Sequence, residues 1–195
     1  MLRNTIILSL VCAVGLNAGM FGDMASSVGL GGGSSSSVSA DEVQNVLKNF
    51  QDAEKGLHNS VLVINSALGD KKKLEEFSAA EKKIASMPQN SEKESAVLKL
   101  NQDELAYTES LTKSKEVQEK AKKLTAVQKQ KVGLSISNLL LVALKDSEGL
   151  VRAQNLVKAI SANKSDAIKY AVDLPKINSI VQTVPNQVST LSSLT

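Results

Sequence analysis

The residues best suited to chemistry are few. Glu54 and His58 lie four apart, and residues at that spacing share one face of a helix. A carboxylate and an imidazole so placed can hold a metal ion, and Asp146, which interrupts an apolar stripe further along, is the natural third ligand. Helical di-metal sites, however, carry Glu-x-x-His motifs on two helices together with further glutamates. Here the spacing is Glu-x-x-x-His and His58 is the only histidine. The expectation is therefore no metal: Glu54 and His58 bond each other at the edge of the core, and Asp146 reaches solvent or a lysine.

Other chemistries are poorly supplied. There is no Gly-x-Ser-x-Gly elbow for a nucleophilic serine. Haem has no Cys-x-x-Cys-His attachment site, and Met20, Met24 and Met87 are poorly placed to partner His58. Cys12 is the only cysteine and lies near the start. These residues predict no catalytic group and no cofactor.

The elements that must position these side chains begin with residues 1–18. Arg3, the apolar run from Thr5 to Val14 and the small residue Ala18 have the order of a secretory signal peptide. The run is about half of the roughly 20 residues a spanning helix needs. Cleavage is expected after Ala18, leaving a cysteine-free chain exported to the periplasm or secreted. Residues 19–39 read as a flexible tether, with Gly31 to Gly33 followed by Ser34 to Ser37. Met20, Phe21, Met24, Val28 and Leu30 give its start a weak apolar strip.

From residue 40 to 195 the pattern is helical throughout. Ser39 with Glu42 makes a capping box, and Val43, Leu47, Phe50, Leu57, Val61, Ile64 and Leu68 repeat every seven residues up to Gly69. Asp70 caps a shorter helix, with Leu74, Phe77, Ala80, Ile84 and Met87 on one face, that Pro88 stops. Ser91 with Glu94 opens a third helix, expected to run to about Leu124 with polar residues at several inward turns. Thr125 with Gln128 opens a fourth from about Ala126 to Ala162, through Val132, Ile136, Leu139, Ala143, Leu150, Ala153, Val157 and Ile160. It has no charged residue between Val132 and Leu144 and should be central, contacted on several sides. Asn163 ends it and Ser165 caps the next, which Pro175 should kink or split near its middle; Pro185 begins a polar end that frays.

The fold class is all-α: an elongated antiparallel up-and-down bundle of four main helices plus a short one. An open helical hairpin that closes on oligomerisation is the competing architecture. The whole chain carries a formal charge of +3, nearly all its cations are lysines, and its five aromatic residues are scattered, which argues against nucleic acid. Lys113, Lys115, Lys120, Lys122, Lys123, Lys129 and Lys131 cluster where a helix C-terminus attracts cations; anionic lipid headgroups are a further possible contact. No transmembrane span is expected in the mature chain. The function expected is a non-enzymatic cell-envelope protein with a structural or partner-binding role, its partner another protein or a second copy. The alternatives are a carrier of an apolar ligand or lipid and a membrane-active helical protein.

Overall fold

The computed structural model describes residues 37–88 and 91–194, with Ser91 described in its backbone alone. The expected signal peptide, Cys12, most of the tether and the Ser91 cap lie outside the described residues. Within them the chain forms seven helices, and no strand is present: α1 (Ala40–Leu68), α2 (Lys71–Ala85), α3 (Ser91–Lys113), α4 (Lys115–Lys122), α5 (Ala126–Ala162), α6 (Lys164–Lys169) and α7 (Leu174–Leu194).

Local chemistry sets most of these boundaries. The Ser39 side chain accepts from the Glu42 amide at the start of α1, and Asp70 accepts from the Lys72 and Lys73 amides at the start of α2. Thr125 and Gln128 form a reciprocal capping box at the start of α5. Gly69 closes α1 with extended backbone; a Cβ there would lie 2.5 Å from the Asn65 carbonyl oxygen. Close approach, and not a left-handed turn, therefore demands glycine.

α1, α5, α7 and α3 form a four-cornered bundle in that cyclic order, with α2 packed along α1 and α3. α1, α3 and α7 run in one direction and α2 and α5 in the other, so α5 runs against all three of its long neighbours. At 1.5 Å per residue the 37 residues of α5 span about 55 Å, which makes the bundle elongated. α1 and α5 approach closely at Gly149, where a Cβ would sit 2.9 Å from the Phe50 ring.

The interior holds two apolar clusters. One contains Val43, Val46, Phe50, Ala153, Leu156, Ile160, Ile177 and Val184; the other contains Leu57, Val61, Ile64, Leu105, Val132, Ile136, Leu139 and Leu191. Between them α1 contributes Glu54, α5 contributes Asp146 and α7 contributes Gln187, so a polar layer divides the core.

Several expectations are corrected. The third helix breaks at Ser114, whose side chain accepts from the Val117 amide and starts α4 afresh. Asn163, not Ser165, caps α6, accepting from the Ser165 and Asp166 amides. The chain divides before Pro175, which sits in the first turn of α7 where no amide donor is needed. α7 then continues through Pro185 to Leu194 without fraying. Pro185 faces solvent, while Val184, Gln187, Leu191 and Leu194 are buried, so packing outweighs the lost hydrogen bond.

α5 is a corner helix and not a central one. Its outward side leaves Leu134, Leu140, Leu144 and Val151 exposed, because its apolar stretch is wider than the faces that α1 and α7 cover. The end of the expected tether is docked: Val38 is buried, its amide donates to Asp166 Oδ2 at 3.0 Å and its carbonyl accepts from the Tyr170 hydroxyl at 2.7 Å. No described helix is long and apolar enough to cross a membrane.

Candidate functional site

The seam between α1 and α3 is polar along its length. Asn101, Glu104 and Thr108 recur at three- and four-residue spacing on α3, and all three are buried. Each meets a polar residue of α1. The Asn101 amide donates to Glu54, the Glu104 carboxylate takes His58 Nδ1 at 2.8 Å, and Thr108 Oγ1 donates to Asn65 Oδ1 at 2.9 Å. The partners advance in the same direction along both helices, which are therefore parallel.

His58 is the junction of the seam. Its Nε2 lies 2.7 Å from Glu81 Oε1 of α2, while Nδ1 faces Glu104. Each ring nitrogen of His58 thus faces a carboxylate oxygen from a different helix. The hydrogen bond to Glu104 is the main cause that raises the His58 pKa; burial opposes it, and the Glu104 and Glu81 charges reinforce it. Glu104 is wholly buried, and its second oxygen, Oε1, has no hydrogen-bond partner. Oxygens of Glu81 and Glu104 and a nitrogen of His58 all lie within 4.8 Å of one another.

One turn away the polar layer contains two carboxyl groups. Burial pushes Asp146 up to about 7, with the nearby Glu54 charge adding to the shift and Gln187 opposing it. Gln187 Nε2 donates to Asp146 Oδ2 at 2.9 Å, and Asp146 Oδ1 is unpartnered. Burial also raises Glu54, opposed by hydrogen bonds from Asn101 and Gln187. Both carboxyl groups of the layer are therefore shifted toward their protonated forms.

The three candidate residues Glu54, His58 and Asp146 are held by separate partners, Asn101, Glu104 and Gln187. Glu54 and His58 do not bond each other; both reach across to α3, because Asn101 and Glu104 lie one turn apart there. Asp146 is 1% exposed and bonds Gln187, so it meets neither solvent nor a lysine. Glu81, Asn101, Glu104 and Gln187 are the residues that sequence reasoning missed. The polar gaps in the third helix's stripe were the signal for Asn101 and Glu104; Glu81 carries no signal, since it looks like an outward residue of a short helix.

The lysine cluster is in part structural. Lys120 Nζ donates to the Leu68 and Gly69 carbonyls at the C-terminus of α1, where the helix dipole favours a cation. Lys113 pairs with Glu109 and Lys122 with Glu119. Lys115 opens α4 just after the break at Ser114, and Lys123, Lys129 and Lys131 stand around the α4–α5 turn. A shallow cleft between α2 and α3 is lined by Lys73, Glu76, Phe77, Leu100, Asp103 and Tyr107. There Phe77 meets Tyr107 edge-on, with ring centroids 5.7 Å apart.

Comparison of the chain with protein-family models, with curated proteins and with solved structures returns no match.

Proposed function

We propose that this protein is a non-enzymatic, exported component of the cell envelope that acts through protein contact, and that its partner is a second copy of itself paired along the outer face of α5. The observation that carries the reading is the exposed apolar strip on that helix. Val127, Leu134, Leu141, Leu144 and Val151 fall on a second seven-residue rhythm, offset from the one that faces the core. Val127, Leu134, Leu144 and Val151 are 49–61% exposed. A seven-residue apolar seam is what a partner helix packs into.

The spacing favours a second copy as the occupant. With two α5 helices antiparallel about a twofold axis near residue 139, Val127 meets Val151 and Leu134 meets Leu144. Glu148, which interrupts the strip, then lies opposite Gln130 and beside Lys131 of the second copy. The pairing is self-complementary, as a twofold interface requires. Export is supported by Arg3, the apolar run to Val14 and the small residue Ala18.

Sedimentation velocity of the purified chain tests the pairing. A dimer is expected, and Leu134→Lys with Leu144→Lys should give a monomer with an unchanged helical circular dichroism spectrum. A monomeric native chain, or a dimer that survives both lysines, contradicts the reading; so does a monomer that binds vesicles through this strip. N-terminal sequencing of the protein recovered outside the cytoplasm should begin at Gly19.

A further inference from the structure

We propose that His58, Glu81 and Glu104 form a binding site for one divalent first-row transition-metal ion, which fastens α2 to the bundle. The three residues come from three helices, α1, α2 and α3, and present a nitrogen and two carboxylate oxygens within 4.8 Å of one another. Donors bound to one such ion at about 2.0–2.2 Å lie roughly 3–4 Å apart. Closing the set around one ion exchanges one of the two His58 hydrogen bonds for a metal bond and draws Glu81 and His58 inward; these are the two least buried of the three, at 36% and 23% exposure. Their exposure also gives the ion a path from solvent and lets water complete its coordination.

Glu104 is the second, independent observation. Its carboxylate is fully buried and one of its oxygens has no partner. A buried carboxylate oxygen without a donor costs free energy unless a cation faces it. An imidazolium supplies one positive charge against the two carboxylates, whereas a divalent ion balances both.

The donor set selects the class of ion. Imidazole nitrogen suits zinc, iron, cobalt and nickel, whereas magnesium and calcium prefer oxygen ligands throughout. On binding, the coordinating ring nitrogen gives its proton to water and takes the metal in its place. The ion then links α2 to the α1–α3 seam beside the Phe77–Tyr107 contact and the bond from the Asp70 amide to the Tyr107 hydroxyl.

Isothermal titration of the chain with Co²⁺, and separately with Zn²⁺ and Mg²⁺, tests the site. The expected result is one Co²⁺ or Zn²⁺ per chain, no comparable Mg²⁺ uptake, and Co²⁺-induced displacement of the ring signals of His58, the sole histidine. Glu81→Gln, a partly exposed position whose change should leave the helical spectrum intact, should weaken binding about tenfold or more. Hydrogen exchange in residues 71–85 should slow when Zn²⁺ is added. The proposal is overturned by no stoichiometric Co²⁺ uptake, by His58 signals that do not respond, or by a folded Glu81→Gln chain that binds Co²⁺ as tightly as the native one.

Discussion

α1 has two unlike faces, and the contrast between them explains much of the molecule. Toward α5 and α7 it presents Val43, Phe50, Leu57, Val61 and Ile64, and the contact is almost wholly apolar. Toward α3 it presents Glu54, His58 and Asn65, each bonded to a buried polar residue. Apolar burial is non-directional and tolerates many alignments. A buried polar pair tolerates few, because a slip leaves charges and amides without partners. The apolar side therefore supplies stability, and the polar side fixes the parallel register of α3 against α1.

The largest test of that division is on the apolar side. Leu139 is fully buried, and Leu139→Ala should cost about 3–5 kcal/mol, measured by denaturant unfolding. A loss below about 1 kcal/mol would mean that the α1–α5–α7 contact is not the stabilising one.

The polar layer should respond to pH. Asp146 has an ordinary value of 3.8 and is held at about 7, with Glu54 and Gln187 facing it. The folded chain therefore binds a proton that the unfolded chain has released, and stability falls as pH rises through this range. About 2–3 kcal/mol should be lost between pH 5 and 8, and Glu54, raised in the same sense, adds to the loss. Asp146→Asn should flatten the profile and stabilise the fold at pH 8. A native profile that rises with pH contradicts the burial of this carboxyl.

Removing the seam's junction should have a smaller effect. His58→Ala strands Glu104 and should cost about 2 kcal/mol, since His58 is partly exposed. Adding Glu104→Gln should restore part of that loss, which a purely steric role for the ring does not predict. The smallest effect belongs to the exposed strip. Leu134→Lys should change the unfolding free energy of the single chain by no more than about 0.5 kcal/mol, since the residue is 49% exposed.

How much of this was legible in the sequence follows the same division. α1 and α5 end where the seven-residue rhythm and the caps place them, because long apolar stripes and side-chain caps act locally. The break at Ser114 was hidden, since Val117 stands where a capping-box acid would be. The course of α7 through Pro185 was hidden too, because its burial against α5 is a tertiary effect. The polar seam was half legible. Glu54 and His58 stand out on α1, but their partners lie 46 or 47 residues away, and no local spacing pairs them. The outer strip of α5 was visible as composition and misread as core, since an apolar helix side looks the same whether a neighbour within the chain or a second copy covers it.

The central functional claim is the antiparallel pairing of two α5 helices, and pulsed electron paramagnetic resonance tests it most directly. In a Cys12→Ser, Asn155→Cys chain carrying one spin label per copy, the labels should lie roughly 50 Å apart, since twice the distance from residue 139 separates them at about 1.5 Å per residue. A separation near 10 Å, as side-by-side parallel helices would give, or no dipolar coupling at all, would contradict the account.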